Sequence, residues 1–168
     1  VELKELTQQL GIPTIFVTHD QLEALTLSDR IAVMRAGVIV QEGSAEAIYA
    51  RPNSRFTAEF IGITNLIEGN VKQIDAGRLL VGALSGDLWC GNAEGFEIDD
   101  RVIVAVRPES LEVWETQPTT SENVFKGTVE AVVYVGDSLD CRIVVDGFTL
   151  RTFVRGTRHF KRGDSVYV

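Results

Sequence analysis

Apolar residues follow two different spacings along the chain. Up to about residue 62, segments with helical spacing alternate with short apolar runs, whereas the remainder consists of short runs of alternating polarity separated by turns. The first part therefore predicts an α/β segment with a strand in a parallel sheet, and the second predicts an all-β unit that forms a small closed or nearly closed barrel. We place the corresponding domains at residues 1–62 and 63–168.

The first part shows local signals for each of its predicted elements. An opening helix ends at Gly11, a favourable C-terminal cap. Residues 14–18 are nearly all apolar and rich in β-branched side chains, which predicts a strand buried on both faces of a parallel sheet. A short helix follows, then a hairpin that turns at Ala36 and Gly37, and Ser44 is placed to cap a further helix.

The second part reads as a succession of strands. Asp146-Gly147 is a strong two-residue hairpin signal. Leu84-Ser85-Gly86 is interpreted as a turn, and residues 114–122 as a loop. Apolar alternation or apolar runs predict strands at residues 66–74, 78–81, 102–106, 124–135, 139–145 and 148–154, with an apolar run again at the C-terminal end.

The ends of the chain and its charge narrow the class of protein. Val1 falls inside a helical pattern and Val168 inside a strand pattern, which predicts a piece of a longer protein.

Sixteen Lys and Arg against 24 Asp and Glu give a net charge of −8, which makes nucleic acid an unfavourable partner. Cys90 and Cys141 lack metal-binding spacing. Two reduced thiols in a cytoplasmic protein are favoured over a single disulfide.

His19 is the first candidate functional residue. It follows the apolar run at residues 14–18, where the chain turns into a helix. Ligands of open parallel sheets bind beyond the carboxyl ends of the strands, where an imidazole can contact a phosphate oxygen or an attacking water. A lone histidine at such a place is also compatible with a purely structural role, so the surrounding residues have to decide between the two.

Those residues closely resemble the segment of ABC ATPases that follows the Walker B strand, the switch or H-loop region. The resemblance extends over residues 1–62 and continues into the pattern of importer ATPases that carry a C-terminal regulatory domain. It rests on Thr18-His19-Asp20-Gln21, Glu23-Ala24, Ser28-Asp29-Arg30-Ile31, Gln41-Glu42-Gly43, Ala47-Ile48-Tyr49 and Phe60-Ile61-Gly62.

The resemblance implies roles for individual residues. His19 would be the switch histidine that contacts the γ-phosphate of ATP, with Asp20 and Gln21 shaping the nucleotide-proximal loop behind it. Asp29 and Arg30 would tie the following strand to the sheet. ATP and Mg²⁺ are implied for the full-length protein. This sequence contains no GxxxxGK[ST] phosphate-binding loop, so we expect no ATP hydrolysis by this chain alone, and no cofactor or metal in it.

The second part resembles, less tightly, the TOBE-type regulatory domain of the same importers, through Arg107-Pro108-Glu109 and Gly136-Asp137-Ser138. The two resemblances imply the end of an ABC ATPase parallel sheet followed by an all-β small barrel like the oligonucleotide-binding (OB) fold. That resemblance implies a homodimer with a second ATPase subunit, transmembrane permease subunits as partners, and a cytoplasmic location at the inner face of the membrane. The implied function is coupling of ATP hydrolysis to uptake of a small solute. General likeness favours a polyamine.

A basic cluster near the C-terminal end is a candidate anion site. It contains Arg151, Arg155, Arg158 and His159, which could hold an oxyanion through charge-assisted hydrogen bonds. The alternative is a solvated loop that balances the surrounding carboxylates. If the cluster binds an anion, an alternative function for the chain is that of a stand-alone small-ligand or oxyanion-binding β-barrel.

Overall fold

The computed structural model describes residues 2–91, 94–119, 122–156 and 158–168. They divide into two compact units, of which the first ends at Ile63 and the second begins at Thr64, each with a hydrophobic cluster of its own. A helix-containing first part is followed by an all-β second part, so the predicted fold class is confirmed. In the described ranges no helix combines the length and apolar content needed to cross a bilayer.

The first unit is built around one β-hairpin. Ala36 and Gly37 close it with φ angles of 50° and 80°, the positive values that a tight two-residue hairpin turn requires. The side chain of Ser44 accepts a hydrogen bond from the backbone N–H of Ala47, which confirms the predicted cap. The elements are α1 (Glu2–Leu10), α2 (Gln21–Leu27), β1 (Ile31–Arg35), β2 (Val38–Gly43), α3 (Ala45–Ala50) and α4 (Arg55–Phe60).

The strand predicted at residues 14–18 does not form. This segment has no ladder partner, and the side chains of Ile15 and Val17 are 92% and 96% exposed. A strand of a parallel sheet is stable only between neighbouring strands and under helices on both faces. Among the described residues of this unit the only strands are β1 and β2, which pair with each other, so nothing covers the apolar run. The prediction was therefore wrong for this chain.

The second unit consists of two four-stranded antiparallel sheets. Their strand orders are β5-β4-β3-β6 and β10-β7-β8-β9. A single 3-10 turn, Pro108–Ser110, follows β6. The strands are β3 (Asn65–Asp75), β4 (Arg78–Ala83), β5 (Gly86–Gly91), β6 (Arg101–Val106), β7 (Lys126–Tyr134), β8 (Ser138–Val145), β9 (Phe148–Arg155) and β10 (Ser165–Tyr167).

Most of these strands agree with the sequence prediction, but β5 was missed. Leu84 has a φ of 52° and residues 84–85 form a turn, as predicted, but Gly86, the last residue of the predicted turn, is already the first residue of β5. Only Leu88 of β5 is buried, and glycines stand at both ends, so the strand lacks the apolar alternation that marks the others. Residues 114–119 belong to no strand, apart from a bridge between Trp114 and Tyr167, while residues 120 and 121 of the predicted loop lie outside the described ranges.

One buried amide joins the two sheets. The Asn65 side chain, 6% exposed, accepts a hydrogen bond from the N–H of Arg151 (2.7 Å) and donates to the carbonyl of the same residue (2.9 Å). It also donates to the carbonyl of Val106 (3.1 Å). Asn65 thus contacts the edge of β9 as a strand residue would, from the first position of β3. Beside it, the buried Thr152 hydroxyl lies 3.1 Å from the carbonyls of Pro108 and Leu111.

We expect Asn65→Ala to lower the free energy of unfolding of the second unit by about 1–3 kcal/mol, because it leaves the part-buried N–H and carbonyl of Arg151 without the Asn65 amide. Urea unfolding followed by tryptophan fluorescence measures this, since Trp89 and Trp114 both lie in the second unit. Asn70→Ala is the matched control on the same strand. Its exposed amide makes one 3.4 Å contact, so it should change stability by less than about 0.5 kcal/mol. An unchanged midpoint for Asn65→Ala would contradict the joining role.

A second prediction concerns pH. Cys141 is 1% exposed, and burial, aided by the Asp140 carboxylate, raises the pKa of its thiol. The folded state therefore retains this proton to higher pH than the unfolded state. Its contribution to stability is complete below about pH 8.5 and is lost as pH rises through the folded-state pKa. Wild type should lose more stability than Cys141→Ala between about pH 8 and about pH 10 in urea titrations. Equal losses would show that the thiol makes no such contribution.

Candidate functional site

His19 lies in the exposed turn that leads from residues 11–18 into α2. Asp20 is the N-cap of α2, with φ −84° and ψ 114°. Its Oδ1 atom accepts hydrogen bonds from the backbone N–H groups of Leu22 (2.8 Å) and Glu23 (3.1 Å). Gln21 is the first residue of the helix. The three adjacent residues named as candidates from the sequence thus occupy one capped turn.

Two further side chains complete this turn. The Thr18 hydroxyl accepts a hydrogen bond from the backbone N–H of Asp20 at 2.9 Å and donates to Oε2 of Glu23 at 2.7 Å. The sequence analysis named Thr18 and Glu23 as part of the resemblance but gave neither a role in the turn. The available signal was the Asp20-x-x-Glu23 spacing, which is that of a capping box. We name the turn formed by Thr18, His19, Asp20 and Glu23 the histidine turn.

The His19 ring is exposed and makes no hydrogen bond or ion pair within the part of the chain described by the structure. A neutral imidazole carries one donor and one acceptor nitrogen, and the protonated ring carries two donors. The ring is therefore available to donate to an anionic oxygen that approaches the histidine turn. Its neighbours in the turn are held by their own contacts and do not compete for it.

Asp29 and Arg30 form exposed ion pairs. Arg30 contacts Glu42 across the start of the β1–β2 hairpin at 2.6 Å, and Asp29 lies 3.5 Å from Lys4. Exposed pairs of this kind each contribute little, typically up to about 1 kcal/mol. Arg30 thus ties β1 to its partner strand, whereas Asp29 contacts α1.

In the basic cluster, Arg151 is already paired. Its guanidinium forms two hydrogen bonds with the Asp140 carboxylate, at 2.9 and 2.7 Å, and lies over the ring of Phe153. The hydrogen bonding of the Arg151 guanidinium to the Asp140 carboxylate is the main cause that raises the pKa of Arg151. A carboxylate thus occupies the two-donor face that an oxyanion would need.

Arg155 and Arg158 face a different environment. Both line an open cleft of about 690 Å³, which the other two candidates, Arg151 and His159, do not line. Arg158 donates to the carbonyl of Val113. Glu109 and Glu112 line the same cleft, so its walls carry both signs of charge. The structure therefore places two of the four predicted anion ligands in one cleft, together with carboxylates that would repel an anion.

Comparison with known proteins first defines the class of the second unit. Residues 104–168 match the family model described as the TOBE domain. The fold is similar to the solved structure of the cytoplasmic molybdate-binding protein ModG with molybdate bound, with a TM-score of 0.51 and 17% identity over 61% of this chain and 86% of that one. This likeness supports the small OB-like β-barrel fold and carries no statement about a ligand.

The whole chain is similar to curated ATP-binding subunits of importers. It is 44% identical to the spermidine/putrescine import ATP-binding protein PotA of Roseobacter denitrificans over 80% of this chain and 40% of that protein. For PotA of Mesorhizobium japonicum the identity is 41% over 99% of this chain and 46% of the relative. By these matches the chain corresponds to a C-terminal part of an ABC importer ATP-binding subunit. It spans less than half the length of these relatives.

The pairing of Arg151 generates a prediction about anions. Because Asp140 occupies its guanidinium, we expect Arg151→Ala to leave a calorimetric titration with molybdate unchanged. Asp140→Ala frees the guanidinium and should strengthen molybdate binding by roughly tenfold, the worth of one charge-assisted hydrogen bond. A molybdate signal in wild type that disappears in Arg151→Ala would show instead that the ion displaces the carboxylate.

Proposed function

We propose that this chain is the C-terminal and regulatory part of an ATP-binding subunit that couples ATP hydrolysis to the uptake of a small solute through an ABC importer. In this proposal His19 donates a hydrogen bond to the γ-phosphate of ATP. The observation that carries it is the position of an exposed imidazole in the histidine turn of a chain that corresponds to a part of these subunits. A donor aimed at a transferring phosphoryl group stabilises the charge that spreads over its oxygens.

The nucleotide site of this proposal needs more than this chain contains. Phosphate-binding loops of the GxxxxGK[ST] type cradle the phosphates and help to hold Mg²⁺, and this sequence has none. The described residues also contain no group of three or more His, Cys, Asp or Glu side chains suited to a metal ion. In this proposal, the rest of the subunit supplies the groups that bind Mg²⁺–ATP, and this chain contributes the histidine.

The remaining parts of the proposal concern partners and solute. The β-rich second unit acts as the regulatory domain and pairs with its copy in a second ATP-binding subunit, while transmembrane permease subunits hold the assembly at the inner face of the membrane. The solute is a polyamine, supported by the names of the relatives, which are spermidine/putrescine import proteins. Uptake of radiolabelled putrescine by cells with and without the intact subunit tests this assignment, and unchanged uptake would count against it.

The role of His19 is tested in the full-length subunit assembled with its permease. We expect His19→Ala to lower the turnover of ATP by about a hundredfold or more, since one donor to the transition-state charge is lost, while the equilibrium affinity for ATP changes little. Gln73→Ala, an exposed position on β3, is the control and should retain full turnover. Turnover near wild type for His19→Ala would refute the assignment.

A further inference from the structure

The histidine turn contains an arrangement that an ordinary helix cap does not need. In a capping box, the Glu at the fourth position returns to the backbone N–H of the N-cap residue. Here Glu23 stands at that position, but its carboxylate accepts from the hydroxyl of Thr18 at 2.7 Å. The hydroxyl in turn accepts from the N–H of Asp20 at 2.9 Å. Thr18 is thus inserted between the two partners of the box.

This insertion changes what the cap holds in place. A direct bond from Glu23 to the N–H of Asp20 would fix only the start of the helix. Through Thr18, the side chain before the histidine and the backbone after it become part of one chain of hydrogen bonds. The Oδ1 atom of Asp20 anchors the same point to the N–H groups of Leu22 and Glu23. His19 is the residue enclosed between these two anchors.

We propose that Thr18 and Glu23 are positioning residues that hold the backbone of His19 in the orientation from which its ring reaches the γ-phosphate. This inference rests on the proposed function of His19 and adds two residues that act through it. Neither contacts nucleotide in the proposal. The direction of the bonds is fixed chemically, because an ionised carboxylate only accepts, so the Thr18 hydroxyl donates to it and keeps a lone pair for Asp20.

If Thr18 and Glu23 served only to stabilise the fold, removing them would change thermal stability and not the rate of ATP hydrolysis. The side chains of Thr18, Asp20 and Glu23 are all exposed, and exposed hydrogen bonds contribute little to the stability of the fold. Breaking one of them should therefore leave folding intact. A displacement of the imidazole by a fraction of an ångström, in contrast, affects a step that depends on alignment. Measuring turnover, ATP affinity and thermal stability on the same variants therefore distinguishes a positioning role from a purely structural one.

The variants are chosen as matched pairs. Thr18→Val keeps the β-branched shape and removes the hydroxyl, whereas Thr18→Ser keeps the hydroxyl. Glu23→Ala removes the acceptor. In the full-length subunit with its permease, Thr18→Val and Glu23→Ala should each lower kcat for ATP by about tenfold at an unchanged KM and melting temperature. Thr18→Ser, which keeps the hydroxyl, should have a kcat within about twofold of wild type.

A double variant shows whether the effect passes through the histidine. Single-turnover hydrolysis by Thr18→Val in the His19→Ala background should be no slower than by His19→Ala alone, because residues that act as a unit are not additive. A further tenfold loss would overturn the proposal, as would wild-type kcat for Thr18→Val or Glu23→Ala. If His19→Ala is itself fully active, the proposed function fails. If only the Thr18 and Glu23 variants are fully active, the proposed function stands and the positioning role fails.

Discussion

The second unit depends on the hydrogen bonds between the side chain of Asn65 and the backbone of Arg151. Asn65 presents its amide to both the N–H and the carbonyl of Arg151 and donates as well to the carbonyl of Val106. In the part of the second unit that the structure describes, no strand of the β5-β4-β3-β6 sheet pairs with β9, so this amide supplies the link that a ladder would otherwise provide. Thr152 extends the link by contacting the carbonyls on either side of the Pro108 turn. Two separate sheets thereby enclose a common core.

The same contact explains what could be predicted from the sequence and what could not. Turns at Gly37 and Gly147 and the cap at Ser44 depend on residues close to them in the chain, and they were predicted correctly. Asn65 and Arg151 are 86 positions apart, and an isolated asparagine at the start of a strand carries no sign of its partner. The strand β5 was not predicted for a related reason. Its sequence has little apolar alternation, and the strand is held by its pairing with β4.

Residues 14–18 show the opposite failure. Their composition is that of a buried parallel strand, yet Ile15 and Val17 are almost fully exposed. Composition reports the environment in which a segment is stable, and that environment includes neighbours that the described residues do not supply. The strand pattern and the exposed side chains are therefore consistent with each other. The apolar run requires covering strands and helices, which is in agreement with relatives more than twice as long as this chain.

The geometry around His19 survives although the strand before it is absent. Its hydrogen bonds run among Thr18, Asp20, Leu22 and Glu23, all within six consecutive residues. A turn that depends on the sheet would be lost with the sheet, whereas this one is encoded locally by side chains that cap the helix behind it. In the proposed full-length subunit, a sheet would have to determine only where the turn lies, and the turn itself would determine how the imidazole is presented. Such a division would let the histidine move with its loop as one body without losing its orientation.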